Sequence, residues 1–256
     1  MTRLSILLVM ALSASGLLAQ EWNGWWAGGS SGATSGSGNA IALARTPSAG
    51  SSAQATTLAY TFDASHTVTS GNTVLLAIAS YLSGVGHNYA AGDVTKTAGS
   101  ATIGTVVLDQ ATNQMADISG VAIFRVPITG SGTLTLTYNN TTAGGFIFAM
   151  GSEWVGFNAS PVGTKATSTG TGTSHTSGSI STTSAGIIFY VASEVSGGDF
   201  TRTYSDTLLY KVDAGASTYT AINQYKTISS SPNTLTDTTG SDSSAWRVVY
   251  VQYITQ

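Results

Sequence analysis

Between Thr133 and Tyr138 polar and apolar side chains alternate strictly, with Leu134, Leu136 and Tyr138 on one side and Thr133, Thr135 and Thr137 on the other. A period of two is the pattern of a β-strand that buries one face and wets the other. The run Thr73–Leu82 differs: it is apolar at successive positions, which predicts a strand covered on both faces and central in the fold. The stretch from Ile187 and the stretch Trp246–Ile254, with Val248, Val249, Tyr250 and Val251, read as core in the same way. Short segments rich in Val, Ile, Thr, Tyr and Phe alternate with Gly, Ser, Asn and Asp clusters, and no helical period is sustained. The pattern predicts an all-β chain, a jelly-roll-like β-sandwich.

Laying the second half of the chain over the first yields an internal repeat. Val74–Ser80 (VLLAIAS) answers Ile187–Ser193 (IIFYVAS), Gly92–Thr97 (GDVTKT) answers Gly198–Thr203 (GDFTRT), and the VVLD that ends at Asp109 answers the YKVD that ends at Asp213. Further on, Thr133–Thr135 answers Thr234–Thr236, and the strand from Phe146 answers the strand from Trp246. The shared order is what a repeated structural unit predicts, with halves at residues 72–157 and 185–254. One pseudo-symmetric sandwich over residues 40–256 is favoured over tandem domains, because the strands from Val74 and Ile187 each need facing sheets.

Three segments carry a resemblance: NTVLLAIAS, then VAIFRVPITGSGTLTLTY, then FIFAMGSEWVGF ahead of Pro161. Together they resemble a loose group of uncharacterised jelly-roll-like proteins from exported bacterial and phage-associated settings. The resemblance spans Ala40 to Gln256 and implies a fold and an external location, without catalytic residues.

Residues 1–19 have the anatomy of an export signal: one cation at Arg3, an apolar run from Leu4, then small residues up to Ala19. The apolar stretch is shorter than the ~20 residues of a spanning helix, so the expectation is cleavage and a secreted or cell-surface product without a membrane span. Residues 20–39 read as a Gly/Ser-rich linker carrying Trp22, Trp25 and Trp26. Three large apolar rings on a tether are costly in water, which marks them as an assembly contact.

Composition narrows the function further. Charged residues are 8 % of the chain and the net charge is −3, with the cations scattered singly, so the clustered basic surface that nucleic acid requires is missing. The absence of Cys excludes disulfides, zinc thiolate sites and thiol nucleophiles. The G-x-S-x-G at Gly28–Gly32 lies in the linker, without the strand and helix that a nucleophile elbow needs. His66, His87 and His175 lack metal-site spacing and read as surface turn residues. Glu153 and Glu194, on predicted strands, are the candidates for a glycosidase pair, which requires two carboxylates about 5–10 Å apart. Asp237 and Asp242 in DTTGSD offer oxygen ligands for Ca²⁺, the one cofactor the sequence suggests. Tyr219 and Tyr225 share a face of a predicted strand, Ser217–Lys226, and offer a stacking platform for a sugar.

No catalytic motif emerges. The expectation is therefore a non-enzymatic structural or adhesive protein, a subunit of a cell surface, matrix, filament or virion exterior, with self-assembly or a surface glycan as its partner. A carbohydrate-binding module is the alternative, and a hydrolase with an unrecognised carboxylate site is the second.

Overall fold

The computed structural model describes residues 40–45, 50–62, 66–81, 84–115, 118–140, 145–157, 160–176, 179–182, 184–195, 202–204, 206–214, 219–228, 232–234, 236–239 and 245–255. The leader, the Gly/Ser linker, Trp22, Trp25, Trp26 and Asp242 lie outside them. Residues 38–256 make up one compact unit.

The first half contains β1 (Ala42–Arg45), β2 (Ser51–Gln54), β3 (Thr57–Thr61), β4 (Thr73–Tyr81), β5 (Val94–Ala98), β6 (Thr102–Ile103), β7 (Val107–Thr112), β8 (Gly120–Gly130), β9 (Thr135–Asn139) and β10 (Phe146–Val155). The second contains β11 (Val162–Thr171), β12 (Ser174–Thr176), β13 (Gly186–Val195), β14 (Arg202–Tyr204), β15 (Thr207–Ala214), β16 (Tyr219–Ile228), β17 (Thr236–Thr239) and β18 (Ala245–Ile254). A 3-10 turn, Ala91–Asp93, precedes β5.

These strands form four antiparallel sheets. The seven-stranded sheet runs β1-β10-β4-β8-β6, with β2 also on β10 and β7 also on β8; the five-stranded sheet runs β11-β18-β13-β16-β15. Two three-stranded sheets, β3-β9-β5 and β12-β17-β14, complete the set.

Three apolar layers separate the sheets, and the alternation along each strand decides which layer a side chain enters. On β4, Val74, Leu76 and Ile78 point to β3, β5 and β9, meeting Tyr60, Val94, Leu136 and Tyr138. Their neighbours Leu75, Ala77 and Ala79 point the opposite way, to Phe189, Val191, Val249 and Val251 of the five-stranded sheet. On β13 the pattern recurs, with Ile188, Tyr190 and Ala192 in a third layer beside Val248, Tyr250 and Ile180. The sandwich class expected from the sequence is what the chain forms, with four layers in place of two. The reason is the one that makes β4 and β13 apolar at every position: both are interior strands of interior sheets, and each buries both faces.

The strands that carry the sequence matches occupy corresponding places in the strand orders. β4 lies between β10 and β8 as β13 lies between β18 and β16, and β9 lies between β3 and β5 as β17 lies between β12 and β14. At residue level one match slips. Each of β7 and β15 carries a register irregularity, between Leu108 and Gln110 and between Leu208 and Tyr210, and strand register does not set Asp109 against Asp213. Strands β11 and β12 lie before residue 185, where the sequence repeat places the start of the second half. The two large sheets face each other in opposed order, with β2 beside β15 and β11 beside β7.

A gap in one sheet edge is closed across layers. β2 pairs with Phe146–Ala149 and β1 with Glu153–Val155 of β10, which leaves the intervening stretch of β10 without an edge partner among the described residues. The Gly151 carbonyl there accepts hydrogen bonds from the hydroxyls of Tyr60, at 3.1 Å, and Tyr210, at 2.8 Å. One tyrosine comes from a three-stranded sheet and the other from the five-stranded sheet, and their hydroxyls lie 3.3 Å apart. Glycine is required at 151 because a Cβ would stand 2.6 Å from the Tyr60 ring.

Candidate functional site

Long-range pairing concentrates charge where the two large sheets meet. Asp109 of β7 is buried and accepts from Arg125 of β8, with Nε at 3.0 Å from Oδ2 and Nη2 at 3.2 Å from Oδ1. Across the middle layer the Tyr253 hydroxyl donates to Asp109 Oδ2 at 2.7 Å, and Lys165 Nζ donates to the Asp109 carbonyl at 3.0 Å. Burial and the adjacent carboxylate hold the Tyr253 phenol well above its ordinary pKa, so it stays a neutral donor. Asp109 thus ties β7 and β8 to β18 through its carboxylate and to β11 through its backbone carbonyl.

The other buried ionisable groups are tied locally. Glu153 Oε1 accepts from the Thr69 backbone N–H and from Asn72 Nδ2, both at 2.7 Å. His87 Nε2 lies 3.0 Å from Asp93 Oδ2, with its ring edge-on to Tyr89 and Tyr138. His175 Nε2 lies 2.6 Å from Glu194 Oε2, and its ring tilts over Trp246. His87 and His175 are buried, against the expectation of surface turn residues; His66 is exposed, as expected. The misreading has a physical cause: each buried imidazole has a carboxylate partner, and that pairing is what permits burial.

Glu153 and Glu194 do not converge. Glu153 shares its face of β10 with Ile147 and Ala149, in the first apolar layer; Glu194 shares its face of β13 with Ile188 and Tyr190, in the third. The whole middle layer and both large sheets stand between them, and one sheet-to-sheet spacing alone is about 10 Å. The glycosidase pair expected from the sequence is therefore not assembled by these two residues. Asp237 lies on β17, opposite His175 of β12 and Tyr204 of β14 in backbone register. No cluster of three or more metal-ligating side chains occurs among the described residues.

Tyr219 and Tyr225 lie on the same face of β16, at opposite ends of the middle layer and partly buried against it. Tyr225 packs edge-on against Trp154, ring centroids 5.0 Å apart. Tyr219 stacks on Tyr81 at 4.5 Å and on Phe146 at 4.4 Å, and Tyr81 and Phe146 are themselves cross-strand neighbours in β4 and β10. Burial raises the Tyr219 phenol pKa, and Tyr81 adds to the shift. The rim formed by Tyr81, Phe146 and Tyr219 is half-buried. Sequence reasoning found Tyr219 and missed its two partners, because only the register of β4 with β10 brings them together.

A pocket of about 300 Å³, open to solvent, lies at the start of β18. Ile118, the β11 residues Thr169–Thr171 and the β18 residues Ala245–Arg247 line it. Trp246 lies flat over Gly170, where a Cβ would come within 2.5 Å of its ring. Arg247 is half-buried and points the other way along the alternation, toward Met115. Nothing in the isolated sequence around Arg247 marks it, since its neighbours in the pocket come from β11 and from Ile118.

No protein-family model, curated protein or solved structure matches the chain.

Proposed function

We propose that the chain is a non-enzymatic, exported structural or adhesive protein, a jelly-roll-like β-sandwich of two pseudo-repeated halves that meet through their larger sheets. The strand order supports the duplicated reading. Taking the strands of the second half in chain order, the large sheet runs first, eighth, third, sixth, fifth and the small one second, seventh, fourth. The first half has the same order once β1 and β2 are counted as one edge and β6 is set aside.

The observation that carries the functional reading is the use made of buried charge. Asp109, Glu153, Asp93 and Glu194 each hold strands or layers together through a named partner. Groups held this way are fixed in place, which suits a rigid building block better than a reaction centre, where a titrating group has to meet substrate. The outer strand β11, with Thr167, Thr169 and Thr171 exposed beside Lys165, presents mainly hydroxyls to its surroundings. The test is fractionation of the native host with intact-mass measurement. The expected product is outside the cytoplasm, lacks the residues through Ala19, and is present in an assembly larger than one chain. A cytoplasmic monomer that retains Met1 would contradict the proposal.

The aromatic rim favours a second reading, carbohydrate binding. Stacked rings with a half-exposed edge offer a surface to the C–H face of a sugar. On an array of neutral glycans, binding is expected to fall about tenfold in Tyr219→Ala, equivalent to about 1.4 kcal/mol. Equal signals from the two proteins would remove the rim from consideration.

A further inference from the structure

We propose that Arg247 and the pocket beside it bind the carboxylate of an acidic sugar. The inference goes beyond the surface role and is independent of the aromatic rim, which lies elsewhere on the chain.

Two arginines in this protein present the same edge to very different neighbours. Arg125 turns its Nε and Nη2 side-on to the Asp109 carboxylate, at 3.0–3.3 Å. In Arg247, Nη2 donates to the thioether sulfur of Met115 at 3.1 Å, and Nε is buried with no hydrogen-bond partner among the described residues. A thioether is a weak, neutral acceptor, whereas the guanidinium edge is shaped for two parallel bonds to a planar oxyanion. Burial lowers the Arg247 pKa, as expected for a cation stripped of part of its water and not compensated by an anion.

Access is through Met115, which is 54 % exposed. Its unbranched side chain has three rotatable bonds, so it can swing away and yield its place to a carboxylate oxygen. The sulfur then serves as a stopper on the vacant edge.

The remaining lining indicates what carries the carboxylate. Thr169 and Thr171 are exposed on β11, lie opposite Arg247 and Ala245 in register and line the same pocket as Arg247. Each can donate to or accept from a sugar hydroxyl. Ile118 supplies an apolar wall for the C–H face of a ring. The volume, about 300 Å³, is at the small end of ligand pockets and suits a single sugar unit with the rest of a polysaccharide in solvent.

The experiment is a calorimetric or NMR titration of the full chain with methyl glucuronide, with methyl glucoside as the neutral control. Saturable binding of the glucuronide is expected, at least roughly tenfold tighter than of the glucoside, the least that a charge-assisted bidentate pair should contribute. Arg247→Gln should lose that advantage without a change in melting temperature. Arg247→Lys, which keeps the charge and loses the fork, should bind with intermediate affinity, and Met115→Ala at least as tightly as the parent. Failure of the parent protein to bind, equal affinity for the two sugars, or binding unchanged in Arg247→Gln would each overturn the assignment.

Discussion

Replacement of Asp109 by Ala is expected to lower stability by about 3–5 kcal/mol, the usual cost of removing one partner of a buried ion pair. Asp109 and Arg125 expose only 3 % and 16 % of their side chains, so little solvent screening reduces the effect. Without the carboxylate, the Arg125 guanidinium is left without its anion and the Tyr253 hydroxyl without its acceptor. At about 2–4 °C per kcal/mol for a domain of this size, the melting temperature should fall by roughly 10 °C. The companion variant Asp109→Leu/Arg125→Leu should recover most of the loss, since an apolar pair of similar volume removes the stranded charge. Thermal unfolding followed by circular dichroism checks both. A loss below about 1 kcal/mol for Asp109→Ala, the range of exposed pairs, would mean the network is solvated and not a strut.

Truncation of Trp154 to Ala should cost a similar 3–5 kcal/mol, the range for emptying an aromatic site in a core. Trp154 belongs to the first half and has no exposed surface, yet its ring meets Phe189 at 6.2 Å and Tyr225 at 5.0 Å, both from the second. Its indole N–H also donates to Ser152 Oγ at 2.7 Å, so the truncation strands a buried hydroxyl besides opening a void. The form of the transition is as informative as its midpoint. Because the side chain is shared between halves, the whole unfolding curve should move to lower denaturant as one cooperative step. Two resolved steps, only one of them displaced, would show instead that the halves unfold independently.

The local part of this architecture was legible in the sequence. Alternation at Thr133–Tyr138 predicted a strand with one buried face, and β9 has one. Unbroken apolar runs at Val74 and Ile187 predicted cover on both sides, and those strands are fully interior. Periodicity states how many faces a strand buries and not what covers them, which is why the stacking of the sheets was not legible. The charged ties were not legible for a related reason. Tyr253 reaches Asp109 from the far end of the chain, and Glu194 reaches His175 from a different strand. No short window contains both members of either pair. A lone histidine among Ser and Thr reads as a turn, and only the fold supplies its carboxylate. The match of VVLD with YKVD shows the opposite failure, in which composition agreed at an offset that strand register does not follow. Arg247 had no local signal at all, since its distinction lies in what does not face it.

The place of β18 has a consequence for how the molecule comes into being. It is inserted between β11 and β13, and every other strand of the second half is laid down between β11 and β18 along the chain. Until that strand arrives, β11 has no strand partner among the described residues and β13 has one flank bare. Non-local closure of this kind is slow. A chain still being made therefore passes through a stage with a sticky, half-zipped surface, and any helper protein that attends its folding has its moment then.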